Sequence, residues 1–272
     1  MSDQNDIRML EEHLKVSLLE YLRQKKKISE ETTVISELPV DDFARRADLV
    51  LIGRDTHAFE IKSEADSLLR LQGQVETFLR FFDKVTVVVA VKHAERVLEI
   101  TPSTVGVWAV HEKQSFKVLR RGRKTPIRSI SNLVKMMRMT ELSRLVRNSD
   151  VSVQSTDRSG LVQSAMLLPV SRVRHAAIEA VRNRYIKTSM AFWKLVSDNE
   201  ISLKALQALS PSSKERLEHE KRERERLDFW QEWAEKAKSL PDDLHLHHLT
   251  KSIDGELFGP VPENIKKLVP GS

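Results

Sequence analysis

At 272 residues, with 40% apolar content and a formal charge of only +6, the chain is long enough to bury one α/β core and still carry a helical extension. The absence of cysteine excludes disulfides, thiolate metal sites and a cysteine nucleophile. An acidic, polar amino terminus and a longest apolar run of strand length, Val85 to Val91, point away from export or a membrane span and toward a cytoplasmic location.

Ile7, Leu10, Leu14, Leu18 and Tyr21 recur at steps of three and four, which predicts an amphipathic helix over residues 7–24, closed by Lys25, Lys26 and Lys27. Residues 33–40 read as a strand. Two further short runs, 46–53 and 57–62, are joined through Gly53, Arg54, Asp55 and Thr56 and read as an antiparallel hairpin. A helix follows over residues 66–82, burying Leu68, Leu71, Val75, Phe78 and Phe82, with Asp66, Arg70, Gln74 and Thr77 on a neighbouring polar stripe. The nearly all-apolar run 84–91 reads as a central strand covered on both faces. A helix over 94–100, stopped by Pro102, and strands over 105–110 and 115–119 complete the predicted core.

Beyond residue 125 the pattern turns helical. Leu133, Met136, Met137, Leu142 and Leu145 place one helix over 130–146, and a second long one covers 171–196, with the polar stretch 148–160 between them as a loop. Residues 214–238 alternate acids and bases around Trp230 and Trp233, as a solvated helix with i to i+4 pairing does. The expected organisation is therefore a core over 1–125, a helical extension over 126–209, and a charged helix with a polar tail over 210–272.

Chemistry concentrates in the hairpin. Alternate side chains of a strand share a face, so Glu60 and Lys62 point together while Phe59 and Ile61 point the other way. Folding the chain back at residues 54 and 55 brings Asp48 beside 60–62. Two carboxylates and the Ile61 carbonyl are the oxygen ligands that Mg²⁺ or Mn²⁺ takes, and the Lys62 ammonium suits water activation and charge neutralisation at a phosphate. The same residues also fit an ion-paired strand face.

Ser36-Glu37-Leu38, the run Ala44-Arg45-Arg46-Ala47-Asp48-Leu49-Val50, Phe59-Glu60-Ile61-Lys62 with Ser63 to Asp66, and Leu69-Arg70-Leu71 with Gln74 and Phe78 resemble the sce7726-type branch of the PD-(D/E)XK, or restriction-endonuclease-like, nucleases. The resemblance implies an α-β-β-β-α-β core with a mixed central sheet. It also implies metal binding by Asp48 and Glu60, catalysis by Lys62, and a further ligand or water-positioning role for Glu37. Arg70 and Gln74, and less directly Asp66, would contact substrate or support the site. Asp66 equally suits a helix amino terminus. Ala47 stands where the superfamily's proline would be.

Charge supplies the partner. Between Lys113 and Asn148 there are eleven Lys or Arg against the single acid Glu141, and Arg120, Arg121, Arg123 and Lys124 form a basic turn suited to a phosphate backbone, or to an ordinary solvated surface. His245, His247 and His248 follow no zinc spacing. Three readings stand together: a Mg²⁺-dependent deoxyribonuclease, a nucleic-acid-binding module of repair or defence without turnover, and an interaction protein whose basic strip meets an acidic partner. A homodimer or protein contact through the helical extension is a further expectation.

Overall fold

The computed structural model describes residues 2–41, 44–111, 115–151, 155–196 and 200–209, with side chains from Glu11 onward. Its scaffold is one six-stranded mixed sheet in sequential order. The strands are β1 (Thr33–Val40), β2 (Arg45–Ile52), β3 (Thr56–Lys62), β4 (Lys84–Ala90), β5 (Gly106–Val110) and β6 (Phe116–Arg120). β1, β2 and β3 form an antiparallel meander, whereas β3, β4 and β5 run parallel and β6 turns back against β5. The two parallel steps need crossovers, and helices α2 (Leu71–Phe81) and α3 (Ala94–Ile100) supply them. Helix α1 (Ser2–Gln24) precedes the sheet.

Alternation along each strand builds two apolar layers. Val50, Ile52, Ala58, Val85, Val87 and Val89 pack with Leu71, Val75, Phe78 and Phe81 of α2 on one face. On the other, Leu49, Leu51, Phe59, Ile61 and Val88 meet Leu18, Leu19 and Leu22 of α1. β4 contributes to both layers and is buried along almost its whole length, as expected of its apolar run. Burying such side chains contributes about 2 kcal/mol each, which the ordering entropy of the chain largely offsets.

The helical region is organised differently from its sequence pattern. The expected single helix over 130–146 is two, α4 (Ile130–Lys135) and α5 (Met139–Arg147). Hydrogen bonds made at the break account for it. Arg158 donates to the carbonyls of Met137 and Val134 at 3.2 and 3.3 Å, Arg184 donates to that of Met136, and the Glu141 carboxylate accepts from the Arg138 amide at 2.7 Å. The expected loop over 148–160 ends earlier, because Asp157 caps helix α6 (Arg158–Met166) by accepting from the Gly160 amide. α4 to α6 and the first half of α7 (Val170–Leu195) enclose a third apolar cluster around Leu133, Leu142, Val146, Leu161 and Val173.

α7 then crosses the edge strand. Ser189 Oγ accepts from the Val34 amide at 3.0 Å, and Trp193 donates to the Thr32 carbonyl at the same distance, so part of the β1 edge is covered. The short α8 (Leu203–Ala208) adds Ala205 and Leu206 to the α1 layer. Residues 214–238 and the histidines at 245, 247 and 248 lie outside the described residues. Among the described residues, no helix is long and apolar enough to cross a membrane.

Candidate metal centre

The acids meet where two strand ladders are interrupted. In the β1 and β2 pairing, Ser36 faces Leu49 and Leu38 faces Ala47, which leaves Glu37 opposite Asp48 without a paired position. Glu37 adopts φ 59°, a left-handed conformation that is costly for a non-glycine residue in a strand, and Ile35 and Leu38 end on the same apolar layer. The β2 and β3 ladder stops at Leu49 and Phe59. One step further, the Asp48 carboxylate accepts from the Ile61 amide at 2.6 Å, taking the place of a strand carbonyl.

Beside it, Glu60 is 1% exposed. One of its oxygens accepts from both Lys62 Nζ and Gln74 Nε2 at 2.6 Å, while Oε2 is buried and has no hydrogen-bond partner. Gln74 Oε1 is also buried and unpartnered. Burial, reinforced by Glu60, raises the Asp48 pKa well above the usual carboxylate range, against the pull of Lys15 and the Ile61 amide. Burial likewise raises Glu60, opposed by Lys62 and Gln74. For Lys62 and Lys15, burial works against the ammonium, but the surrounding carboxylates outweigh it and push both pKa values up.

The expected residues are thus brought together in part. Asp48, Glu60, Ile61, Lys62, Glu37 and Gln74 share one neighbourhood. Arg70 is exposed at the N-cap of α2. Asp66 lies before the helix, which starts at Leu71, because its carboxylate instead closes a turn on the amide and hydroxyl of Ser63 at 2.7 and 2.5 Å, from where its charge still reaches the Lys62 ammonium.

The basic turn sits elsewhere. Lys124 pairs with Asp55 at 2.5 Å and the Thr125 amide donates to the Asp83 carbonyl, so the turn lies where β3 and β4 begin. β3 rises about 20 Å from there to Lys62. Arg120 gives Nε to the Val105 carbonyl at 2.7 Å, one terminal nitrogen to the Leu98 carbonyl at 3.1 Å and the other to Thr101 Oγ1. Arg121 and Arg123 are exposed. Nearer the acids, Arg46 pairs with Glu37 at 2.5 Å, and Arg45 lies over Gly73 in the first turn of α2.

Two residues of α1 enter without having been singled out from sequence. Glu11, Glu37 and Asp48 can each offer a carboxylate oxygen with all three within 4.8 Å of one another. Lys15, 4% exposed, binds Glu11 at 2.8 Å and also Glu37. The signal was present: positions 11, 15, 18 and 22 form one helical stripe, and a lysine there is flanked by leucines that are fully buried.

Comparison with known proteins adds the lineage. The family model described as bacteriophage P4 protein cII matches residues 4–210. Protein cII of Enterobacteria phage P4 is 33% identical over 209 residues, covering 75% of this chain and 79% of that protein. A solved structure of a protein of unknown function from Silicibacter pomeroyi gives a TM-score of 0.30 at 15% identity, over 42% of this chain and 73% of that one, which is below the level of a shared fold. The family match spans the segment that carried the sce7726 resemblance and overturns that assignment: shared strand, acid and lysine spacings identified the wrong family. The chain belongs to the bacteriophage P4 protein cII family.

Proposed function

We propose that this chain is a metal-dependent nuclease that hydrolyses phosphodiester bonds, with DNA as its substrate, and that its α1-β1-β2-β3-α2-β4 order is a restriction-endonuclease-like core. The observation that carries the reading is Glu60, a carboxylate 1% exposed with one buried oxygen unpartnered, set beside the half-buried Asp48. Leaving such a group unmatched costs several kcal/mol, and a cation supplies the match. The available donors are all oxygens, from Asp48, Glu60 and the Ile61 carbonyl, which fits Mg²⁺ or Mn²⁺. When bound, such an ion polarises a phosphoryl oxygen and lowers the pKa of water.

The chain's own groups do the rest. Lys62 Nζ, 2.6 Å from Glu60 and 12% exposed, holds a proton and a positive charge beside the position where a phosphate gains negative charge. Gln74 fixes Glu60 from α2, so the carboxylate cannot swing away, and Asp48 is fixed by the Ile61 amide. Arg45 and Arg70, exposed around the start of α2, are suited to orient a phosphate backbone.

Purified full-length chain should cleave at least one member of a panel of single-stranded, double-stranded and branched DNA and RNA in Mg²⁺ or Mn²⁺. Lys62→Ala should cut the rate by about two orders of magnitude while leaving DNA binding largely intact. Undiminished cleavage by the variant, or none by the wild type, defeats the proposal. The second reading, a nucleic-acid-binding module without turnover, draws on Lys15, which neutralises the acids without a divalent ion. Binding across the panel with no cleavage would select it.

A further inference from the structure

Asp48 stands between two unlike surroundings. Toward β3 it meets Glu60, whose Oε2 is buried and unpartnered in a residue 1% exposed. Toward α1 it meets Glu11 and Glu37, with carboxylate oxygens of all three residues within 4.8 Å of one another. Three carboxylates at that spacing cannot all stay ionised without a positive charge among them. One is already present, because Lys15 is 4% exposed and its ammonium binds Glu11 at 2.8 Å and Glu37 as well. Arg46 closes the outer side of Glu37.

Paired-cation sites for phosphoryl chemistry place two positive centres about 4 Å apart with a carboxylate shared between them. Asp48 has the position of such a shared carboxylate: on one side Glu60, whose other oxygen is held by Lys62 and Gln74, keeps a buried oxygen without a partner, and the other side is filled by an ammonium. We infer that Lys15 is a built-in substitute for a second divalent cation, so that the native chain takes one metal ion, at Asp48 and Glu60, and that Glu11, Glu37 and Asp48 form a latent second metal site. The inference rests on the proposed metal reading of Asp48 and Glu60.

The geometry explains why a lysine belongs on a buried stripe of α1, a costly location unless its head is fully paired. It also explains the strained backbone of Glu37, which brings that carboxylate to the ammonium from an irregular strand position.

Removing the ammonium while keeping the length of the side chain should open the latent site. Calorimetric titration of metal-free, full-length chain with Mn²⁺ should give one bound ion per chain for the wild type and two for Lys15→Met. Electron paramagnetic resonance should show spin coupling between paired Mn²⁺ ions only in the variant. Glu11→Gln in the otherwise native chain changes a side chain that is 36% exposed, and should leave the single ion bound with affinity within about threefold of the wild type.

Two ions in the wild type would overturn the inference, as would a folded Lys15→Met that binds no more ions than the wild type. Should Lys15→Met not fold, Glu11→Gln decides alone: loss of the native ion would make Glu11 a ligand already and overturn the inference, whereas retention supports it. Failure of the underlying reading looks different. A wild type that binds no ion and a Lys15→Met that binds one would support the latent site while removing the ion from Asp48 and Glu60. A wild type and a variant that each bind one overturn the inference and leave the underlying metal reading standing.

Discussion

Arg120 and Arg123 are three residues apart in one basic turn, yet their heads meet different surroundings. Arg120 is only half-buried, but all three of its nitrogens are committed, to the Leu98 and Val105 carbonyls and to Thr101 at the end of α3. Arg123 is exposed, and its side chain makes no ion pair among the described residues. Removing the first leaves carbonyl groups without their donor, at a cost of about 1–3 kcal/mol. Removing the second costs no more than about 0.5 kcal/mol. Thermal melts of Arg120→Ala and Arg123→Ala should therefore separate, and equal melting points would show that the Arg120 bonds contribute nothing. Charge counted from sequence cannot make this distinction, because a guanidinium that braces a turn and one that meets solvent read alike. Lys15 shows the converse: position 15 of an amphipathic stripe announces a buried lysine, but only the folded sheet reveals that Glu37 and Asp48 are waiting for it.

Elements are tied together by groups that sequence reading passes over. Asp83, at the junction of α2 and β4, is 1% exposed. It accepts from the Thr56 amide at 2.9 Å, Thr56 Oγ1 at 3.1 Å, the Ile127 amide at 3.2 Å and Arg174 of α7 at 2.6 Å. The sheet, the segment leading to α4, and α7 thus converge on one carboxylate. Burial alone would raise its pKa, but the Arg174 hydrogen bond and the two amides outweigh burial and hold it below the ordinary 3.8. A depressed native value means that the unfolded chain binds the proton more tightly. The stabilisation is therefore complete above pH about 4 and is lost as pH falls through the native value. Asp83→Ala should cost about 3–5 kcal/mol near neutral pH, since Arg174 is left partly buried and unpaired. Its deficit relative to wild type should shrink in urea titrations run toward pH 2. A deficit independent of pH would show that packing, not the carboxylate charge, makes the link.

The strands and the first crossover were legible because β-branched runs, a hairpin turn and an unbroken apolar strand each leave a local mark. The break between α4 and α5 was not, because its carbonyls are satisfied by Arg158 and Arg184, which lie more than twenty residues away along the chain. Nor was the late start of α2, where Asp66 prefers a turn on Ser63 to a helical cap. For the acids, period-two alternation correctly paired Glu60 with Lys62. It could not foresee that the ladders lapse at Glu37 and Asp48, since an irregular strand position has no signature in composition.

At the scale of the molecule, the sheet separates two sets of cations by the length of β3. Arg121, Arg123 and Lys124 lie at one end, and Arg46, paired with Glu37, together with Arg45 and Arg70 around the start of α2, at the other. A duplex carries about one charge per 1.7 Å of axis, so the roughly 20 Å between the ends corresponds to about twelve phosphates, and one DNA segment is long enough to reach both. Each cation that neutralises a phosphate steepens the fall of log affinity with log salt by about 0.9, so each triple change to serine should flatten the slope by up to about three units. Existing pairs temper this: Lys124 is held by Asp55 and Arg46 by Glu37, so the contributions of Arg121, Arg123, Arg45 and Arg70 should dominate. Under the proposed nuclease reading, the two triples should differ in cleavage. Changes at 45, 46 and 70 should lower turnover at saturating DNA as well as affinity, whereas those at 121, 123 and 124 should lower affinity alone. Fluorescence anisotropy across salt concentrations, paired with single-turnover cleavage, reads both. A slope unchanged by the distant triple would assign that turn to ordinary solvated surface and confine the DNA path to the end of the sheet that holds Asp48 and Glu60.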